Sequence, residues 1–127
     1  GLADSIPILH TMEKGYRKIV VVLTRRKGYR KKEKSAVHGL IRLYYRKYPE
    51  LVRTIISRGR VYNRTMELVE KWEAEGKSFV IRPEAPPVSR TEKDCEKLLD
   101  FYRHGYEQMQ DRYGELKGYL KTGEETE

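Results

Sequence analysis

The residues with the most obvious chemical potential are cations. A basic segment of ten residues, Arg25 to Lys34 (RRKGYRKKEK), contains seven Lys or Arg side chains. Closely spaced cations of this kind bind phosphate-bearing ligands, anionic lipid or nucleic acid. The candidates for contact with an anionic surface are Arg25, Arg26, Lys27, Arg30, Lys31 and Lys32. The alternative interpretation is a solvated, mobile loop that keeps the protein in solution.

None of the familiar catalytic or metal-binding motifs is complete. The sequence contains no P-loop, no G-x-G-x-x-G, no G-x-S-x-G and no H-E-x-x-H. The single Cys95 excludes an internal disulfide and a cysteine-based zinc site. The three histidines, at positions 10, 38 and 104, lack the spacing of metal ligands. We therefore predict neither a metal site nor a cofactor.

The isolated polar residues have structural explanations. Ser5 and Ser35 suit helix N-caps, and Asp4 is predicted to be a carboxylate favoured at a helix start rather than a base. Cys95 falls on the apolar side of its helix, which predicts a buried and unreactive thiol. The tyrosines are predicted to line the periphery of the core: Tyr44, Tyr45, Tyr102, Tyr106 and Tyr113.

Composition places the chain among small soluble proteins with acidic partners. It has 127 residues, a net charge of +8 and 36% charged residues, and its longest apolar run, Ile19 to Leu23, is far too short to span a membrane. The basic balance favours polyanionic partners, and one lone cysteine is consistent with a reducing compartment. We expect a cytoplasmic protein, at most peripheral to a membrane.

Apolar periodicity predicts the order helix, strand, helix, helix, strand, helix. The predicted strands are continuous apolar runs, and the helices have apolar residues three or four positions apart. Two parallel strands joined by right-handed crossovers follow from this alternation, which is typical of the α/β class. The predicted elements are a short helix closed by Gly15, a strand Lys18–Thr24, helices Ser35–Tyr48 and Pro49–Glu75, a strand Ser78–Arg82, and a long helix from Thr91 onward.

Two details of this pattern carry further expectations. The stripe in the second long helix passes through Gly59, which either admits a close neighbour or marks a kink. The first strand has no alternation, so both of its faces are expected to be buried, with neighbouring strands supplied from elsewhere. An unpaired apolar strand also predicts self-association of the chain.

A resemblance to a known family follows from several collinear stretches. GLADSIP, then KIVVVLTR, KGYRKK, YPELV, ELVEKWEAEGKSFVIRP and TEKDCEKLLDFYRHGYE together resemble the C-terminal part of bacterial patatin-like phospholipases over nearly the whole chain. In that family an Asp-Gly-Gly or Asp-Gly-Ala triplet precedes the segment similar to LADSIP. Gly1 would be the last residue of this triplet, and the catalytic Asp would lie two positions before it.

The resemblance implies a fragment of a three-layer α/β/α fold with a Ser–Asp dyad. Residues 1–121 would be the C-terminal portion of the patatin-like domain, and residues 122–127 a frayed acidic tail. The nucleophilic Ser and the catalytic Asp are then expected upstream of Gly1, so the chain alone would be inactive. The implied partners are a lipid or small acyl-ester substrate in the intact protein and an anionic membrane, with no nucleic acid.

Two other function classes remain open on sequence grounds. The chain could be a small basic α/β module that binds nucleic acid or another polyanion through Arg25–Lys34. It could also be an interaction domain whose exposed strand pairs with the sheet of a partner.

Overall fold

The computed structural model describes residues 4–122. Its elements are α1 (Ile8–Glu13), β1 (Ile19–Val22), α2 (Ser35–Tyr44), α3 (Pro49–Ala74), β2 (Ser78–Ile81) and α4 (Cys95–Lys121). β1 and β2 are parallel, with Ile19 opposite Ser78 and Val22 opposite Ile81. The predicted element order and the parallel strand pair are therefore confirmed, and the fold is a mixed helix and strand structure. Gly1 and the tail beyond Thr122 lie outside the described residues.

The chain divides into two compact units. The first unit contains α1, α2 and α3, formed by the residues up to Tyr16 and by residues 30–74. The second unit contains β1, β2 and α4, formed by residues 17–29 and the chain from Glu75 onward. Among the described helices of both units, none combines the length and apolar character needed to cross a membrane.

The core of the first unit lies along α3. Its predicted stripe faces inward, with Tyr62, Met66 and Val69 buried. The helix stops where predicted, because Gly76 adopts a φ of +76° that favours glycine over any other residue. Gly59 lies within the unbroken helix, so it marks no kink.

Two predicted helix N-caps in this unit are wrong, although α2 begins at Ser35 as predicted. α1 begins at Ile8 after Pro7, and α2 follows Lys34, with no side-chain cap in either case. Ser5 and Ser35 are therefore not N-caps. α2 also ends at Tyr44, four residues before the predicted end.

The second unit departs from prediction on both of its main surfaces. In β1, Ile19 and Val21 are buried, but Val20 is 38% and Val22 69% exposed. The prediction that both faces of this strand are buried is wrong for the described residues, because they cover one face only. α4 begins at Cys95, four residues after the predicted start at Thr91, and its N-cap is Asp94, whose carboxylate accepts a hydrogen bond from the Glu96 amide at 3.0 Å. None of the residues of α4 is buried.

Candidate functional site

The carboxyl end of β2 is held by polar side chains of α4. Arg112 Nη1 donates a hydrogen bond to the Val80 carbonyl at 3.0 Å, and Gln108 Nε2 donates one to the Arg82 carbonyl at 2.6 Å. The Arg112 guanidinium also lies 4.6 Å from the centre of the Phe79 ring. Residues four apart share one side of a helix, so α4 presents a polar side to the strand.

The loop after β2 is fixed by an imidazole. His104 Nε2 accepts hydrogen bonds from the backbone amides of Glu84 and Ala85, at 3.2 and 3.3 Å. The two amides share the lone pair of this nitrogen, so the imidazole is oriented toward the loop. Arg26 Nε holds the same loop from the other side by donating to the Ala85 carbonyl at 3.3 Å. In this arrangement His104 is therefore a structural hydrogen-bond acceptor whose Nε2 lone pair is occupied by the two amides.

A cavity of about 440 Å³ lies beside this loop and the first turns of α4. Its lining residues are Ala85, Pro86, Pro87, Val88, Glu92, Lys97, Asp100 and Phe101. The volume suits a small-molecule ligand, and the position at the carboxyl end of a parallel strand is where open α/β sheets bind ligands.

The lining of this cavity combines apolar walls with charged groups. Its walls are apolar, and its charged groups are one cation, Lys97, and two carboxylates. The Glu92 carboxylate is already engaged, since it accepts hydrogen bonds from the amides of Lys93 and Asp94 at 3.1 Å each. The geometry can therefore hold a small polar ligand between apolar walls and side chains of both charges.

The last turn of α4 is attached to the strands by Lys18 and Tyr119. The Tyr119 hydroxyl donates to the Lys77 carbonyl at 2.8 Å. Lys18 Nζ donates to the carbonyls of Tyr119 and Leu120 and to the Thr122 hydroxyl. A cation at this position neutralises the unpaired carbonyls at a helix C-terminus.

Burial changes the acidity of this tyrosine. Partial burial raises the pKa of the Tyr119 hydroxyl above its usual value of 10.0, and a hydrogen bond with the Ile19 backbone partly opposes that effect. The neutral phenol is therefore the form that the folded chain prefers.

The first half of the basic segment belongs to the second unit. Besides the contact of Arg26 with the loop, the Arg25 guanidinium lies 4.9 Å from the centre of the Tyr29 ring. Lys27 is exposed. The three cations of this half thus lie on a turn that is partly fastened to the loop after β2.

The second half of the segment lies along α3 in the first unit. Arg30 Nη2 forms an ion pair with Glu70 Oε2 at 2.9 Å. The backbone of Lys31 exchanges two hydrogen bonds with the Asn63 side chain, at 2.8 and 2.9 Å. Lys31 Nζ lies 4.4 Å from the Tyr62 ring centre.

Gly59 lies next to this half of the segment. A Cβ at Gly59 would lie 3.6 Å from the Cβ of Lys31, which is an ordinary van der Waals separation, so the packing here does not require a missing side chain. Arg60 Nη2 adds an ion pair with Glu33 Oε1 at 3.2 Å. Arg30 and the backbone of Lys31 are therefore attached to α3, whereas Lys32 and Lys34 are exposed. The alternative of a solvated, mobile loop stays a prediction.

The structure does not bring the six candidate cations together within one unit. Arg25, Arg26 and Lys27 belong to the second unit, whereas Arg30, Lys31 and Lys32 belong to the first. Of these, Arg26, Lys27 and Lys32 are exposed, although Arg26 also donates to the Ala85 carbonyl. The other three are half-buried and have the contacts described above. Contact of these residues with an anionic surface stays a prediction. Fewer cations are available for it than the sequence alone suggests, because several already contact other groups of the chain.

The remaining predicted residues have local roles or none. The Asp4 carboxylate accepts from the Ile6 amide at 3.1 Å and so stabilises the turn before α1. The prediction of a buried Cys95 is wrong, because its thiol is exposed on the outer side of α4. Tyr44, Tyr102, Tyr106 and Tyr113 are likewise exposed, not peripheral to a core, and only Tyr45 is half-buried.

No catalytic or metal-binding cluster is present in the part of the chain from residue 4 to residue 122. Its serines make no hydrogen bond to a histidine, and no three His, Cys, Asp or Glu side chains are grouped as metal ligands. The side chains that build the cavity loop, His104, Gln108 and Arg112, were not among the predicted candidates. Their signal in the sequence is a four-residue spacing of polar side chains along one helix.

Comparison with known proteins identifies a family but no activity. The family model described as a domain of unknown function, DUF6363, matches residues 48–121. The chain belongs to this family. No curated protein and no solved structure matches it. The matched residues contain α3, β2, the cavity loop and α4, whereas α2 and the basic segment precede them.

Proposed function

We propose that this chain is the C-terminal part of a patatin-like acyl hydrolase. The family of the chain has no assigned function, so the proposal depends on the collinear resemblance and on one structural observation. That observation is the apolar surface that the described residues leave uncovered on the second unit.

The uncovered surface extends over a strand and a helix. Val20 and Val22 are exposed on one face of β1. α4 exposes an apolar stripe at helical spacing: Cys95, Leu98, Leu99, Tyr102, Tyr106, Tyr113 and Leu120. An apolar surface of this extent normally packs against further protein. A larger sheet with covering helices, such as the three-layer patatin fold, would bury both.

In the proposed parent the reaction would be carried out by residues outside this chain. An Asp would take the proton from a Ser hydroxyl, and the Ser oxygen would attack the ester carbonyl while backbone amides stabilise the oxyanion. The alcohol would leave with that proton, and water would then hydrolyse the acyl-enzyme. The present chain would contribute two strands, covering helices and the fixed loop at the carboxyl end of β2.

The alternative of a nucleic-acid module has less support. Such a module needs a contiguous basic patch whose side chains reach phosphates. Arg30 is paired with Glu70 and Lys31 is attached to α3, so two of the strongest candidates are already engaged.

The test compares this chain with the longer product of its reading frame. We expect the longer product to hydrolyse a short-chain fluorogenic ester and to be labelled by a fluorophosphonate on the Ser of an upstream G-x-S-x-G. Residues 1–127 alone should show neither property.

Two controls make the result decisive. A Ser to Ala substitution at the labelled position should abolish both labelling and hydrolysis. A reading frame without an upstream G-x-S-x-G, or a longer product that is never labelled, would refute the proposal.

A further inference from the structure

α2 is an amphipathic helix whose apolar side faces outward. None of its residues is buried, and its large apolar side chains Leu40, Leu43 and Tyr44 are 67%, 69% and 81% exposed. With Ala36 and Val37 these side chains form one stripe about 120° wide at 100° per residue. The half-buried side of the helix consists of His38, Ile41 and Tyr45.

The exposed charge on either side of α2 in the sequence is mostly positive. Between Arg30 and Tyr48 the sequence has seven Lys or Arg residues and one acid, Glu33. Five of these cations are exposed: Lys32, Lys34, Arg42, Arg46 and Lys47. The one acid is paired with Arg60. Glu33 is itself exposed, so the stretch carries one paired carboxylate among its five exposed cations.

We propose that α2 docks on the surface of an anionic lipid bilayer. Leu40, Leu43 and Tyr44 would enter the boundary between headgroups and acyl chains, and Arg46 and Lys47 would contact lipid phosphates. An apolar stripe with a cationic margin is the feature that distinguishes helices lying in the plane of a membrane surface. Tyr44 and Tyr48 suit such a boundary, because a phenol has an apolar ring and a polar tip.

A comparison with α4 favours lipid over protein as the occupant of α2. The apolar stripe of α4 is flanked by charges of both signs, among them Glu96, Arg103 and Lys117, as is usual for contact with another polypeptide. Between Arg30 and Tyr48 the exposed charges next to α2 are basic apart from the paired Glu33. The proposal does not depend on the hydrolase proposed above, since it concerns the surface of this chain alone.

The experiment measures co-sedimentation of residues 1–127 with vesicles. We expect binding to phosphatidylcholine vesicles that contain phosphatidylglycerol, weak binding to pure phosphatidylcholine, and a decrease of binding with added salt. The double variant L40Q/L43Q should bind at least about tenfold more weakly, because glutamine preserves the helix but removes the inserted side chains. R46Q/K47Q should bind about 10- to 30-fold more weakly.

Each variant has a matched control on the second unit. L98Q/L99Q removes two exposed leucines from α4, and R90Q/K93Q removes two exposed cations before it. Both controls should bind the vesicles as the unchanged chain does. Circular dichroism of all four variants checks that their helix content is unchanged.

Several outcomes would overturn the proposal. One is the absence of binding to anionic vesicles, and another is an equal loss of binding in the variants and their controls. A third is a change of oligomeric mass in L40Q/L43Q with vesicle binding retained, which would make a second copy the occupant. Tight binding of duplex DNA that R46Q/K47Q abolishes, without vesicle binding, would also refute it.

Discussion

At the scale of single residues, Arg112 is a charged side chain at a position that faces a strand. It stacks on Phe79, donates to the Val80 carbonyl and is about one-third exposed. A hydrogen bond to a charged donor is worth about 1.5–3 kcal/mol, and the carbonyl left behind loses its partner when the donor is removed.

We expect R112L to lower the free energy of unfolding by about 1–3 kcal/mol, since the apolar contact is kept but the donor is lost. The measurement is urea denaturation followed by circular dichroism. R103L removes an exposed arginine from the same helix and should change the free energy by less than about 0.5 kcal/mol. Equal effects of the two substitutions would show that the contacts of Arg112 contribute nothing specific.

Tyr119 gives a second prediction at this scale, through pH. Because the pKa of Tyr119 is raised in the folded chain, the unfolded chain loses the phenolic proton first. The stabilising contribution is complete below about pH 10 and is lost as the pH rises through the folded pKa. Y119F should lower the free energy of unfolding by about 1 kcal/mol at neutral pH, because the bond to Lys77 is lost.

The difference in the free energy of unfolding between the unchanged chain and Y119F should shrink as the pH increases above 10. All other groups are common to both proteins, so the difference isolates Tyr119. Y113F deletes an exposed hydroxyl and should leave the free energy at neutral pH unchanged. A Y119F difference that stays constant up to strongly alkaline pH would contradict the prediction.

At the scale of elements, a helix surface is predicted correctly from the sequence where its periodic apolar residues are also the buried ones. The stripe of α3 is predicted correctly because Tyr62, Met66 and Val69 are both periodic and buried. In α4 the same rule fails, since its periodic apolar residues are exposed and its polar residues face β2. Periodicity identifies a helix and its amphipathic sides, but the neighbour of each side is decided by the rest of the fold.

The basic segment Arg25–Lys34 shows that tertiary contacts can also go undetected in the sequence. Its composition predicts a mobile loop, whereas Asn63 and Glu70 of α3 bind the backbone of Lys31 and the side chain of Arg30. Neither residue is near the segment in sequence. Contacts of this kind depend on tertiary structure and leave no local pattern.

This anchoring predicts the protease sensitivity of the segment. N63A removes both hydrogen bonds to the Lys31 backbone, so residues 30–34 should open more often, and trypsin should cleave there about tenfold faster. The cleavage rate is measured by mass spectrometry of the released fragments. E67A changes an exposed residue of the same helix and should leave the rate unaltered. No acceleration in N63A would mean that other contacts hold the segment.

At the scale of the whole molecule, the exposed stripe of α4 can be followed through its thiol. Cys95 is accessible in residues 1–127, so Ellman's reagent should react with it as with any exposed thiol. If the proposed parent covers the stripe, the same thiol should react at least about tenfold more slowly there. An S89C variant in a C95S background places a thiol on the exposed loop and should react equally in both proteins. Equal rates for Cys95 in the chain and in the parent would show that the stripe stays uncovered.

The contacts of Gln108 and Arg112 also decide in which direction the parallel pair can widen. The Ile81 carbonyl accepts the Leu23 amide from the neighbouring strand at 2.9 Å, so the carbonyls of Val80 and Arg82 point the opposite way. The two side chains of α4 occupy these outward acceptors and block lateral growth beyond β2. Among the described residues, no side chain occupies the outward-facing backbone groups of Val20 and Val22 in this way. A third strand, from whatever source, would therefore join next to β1.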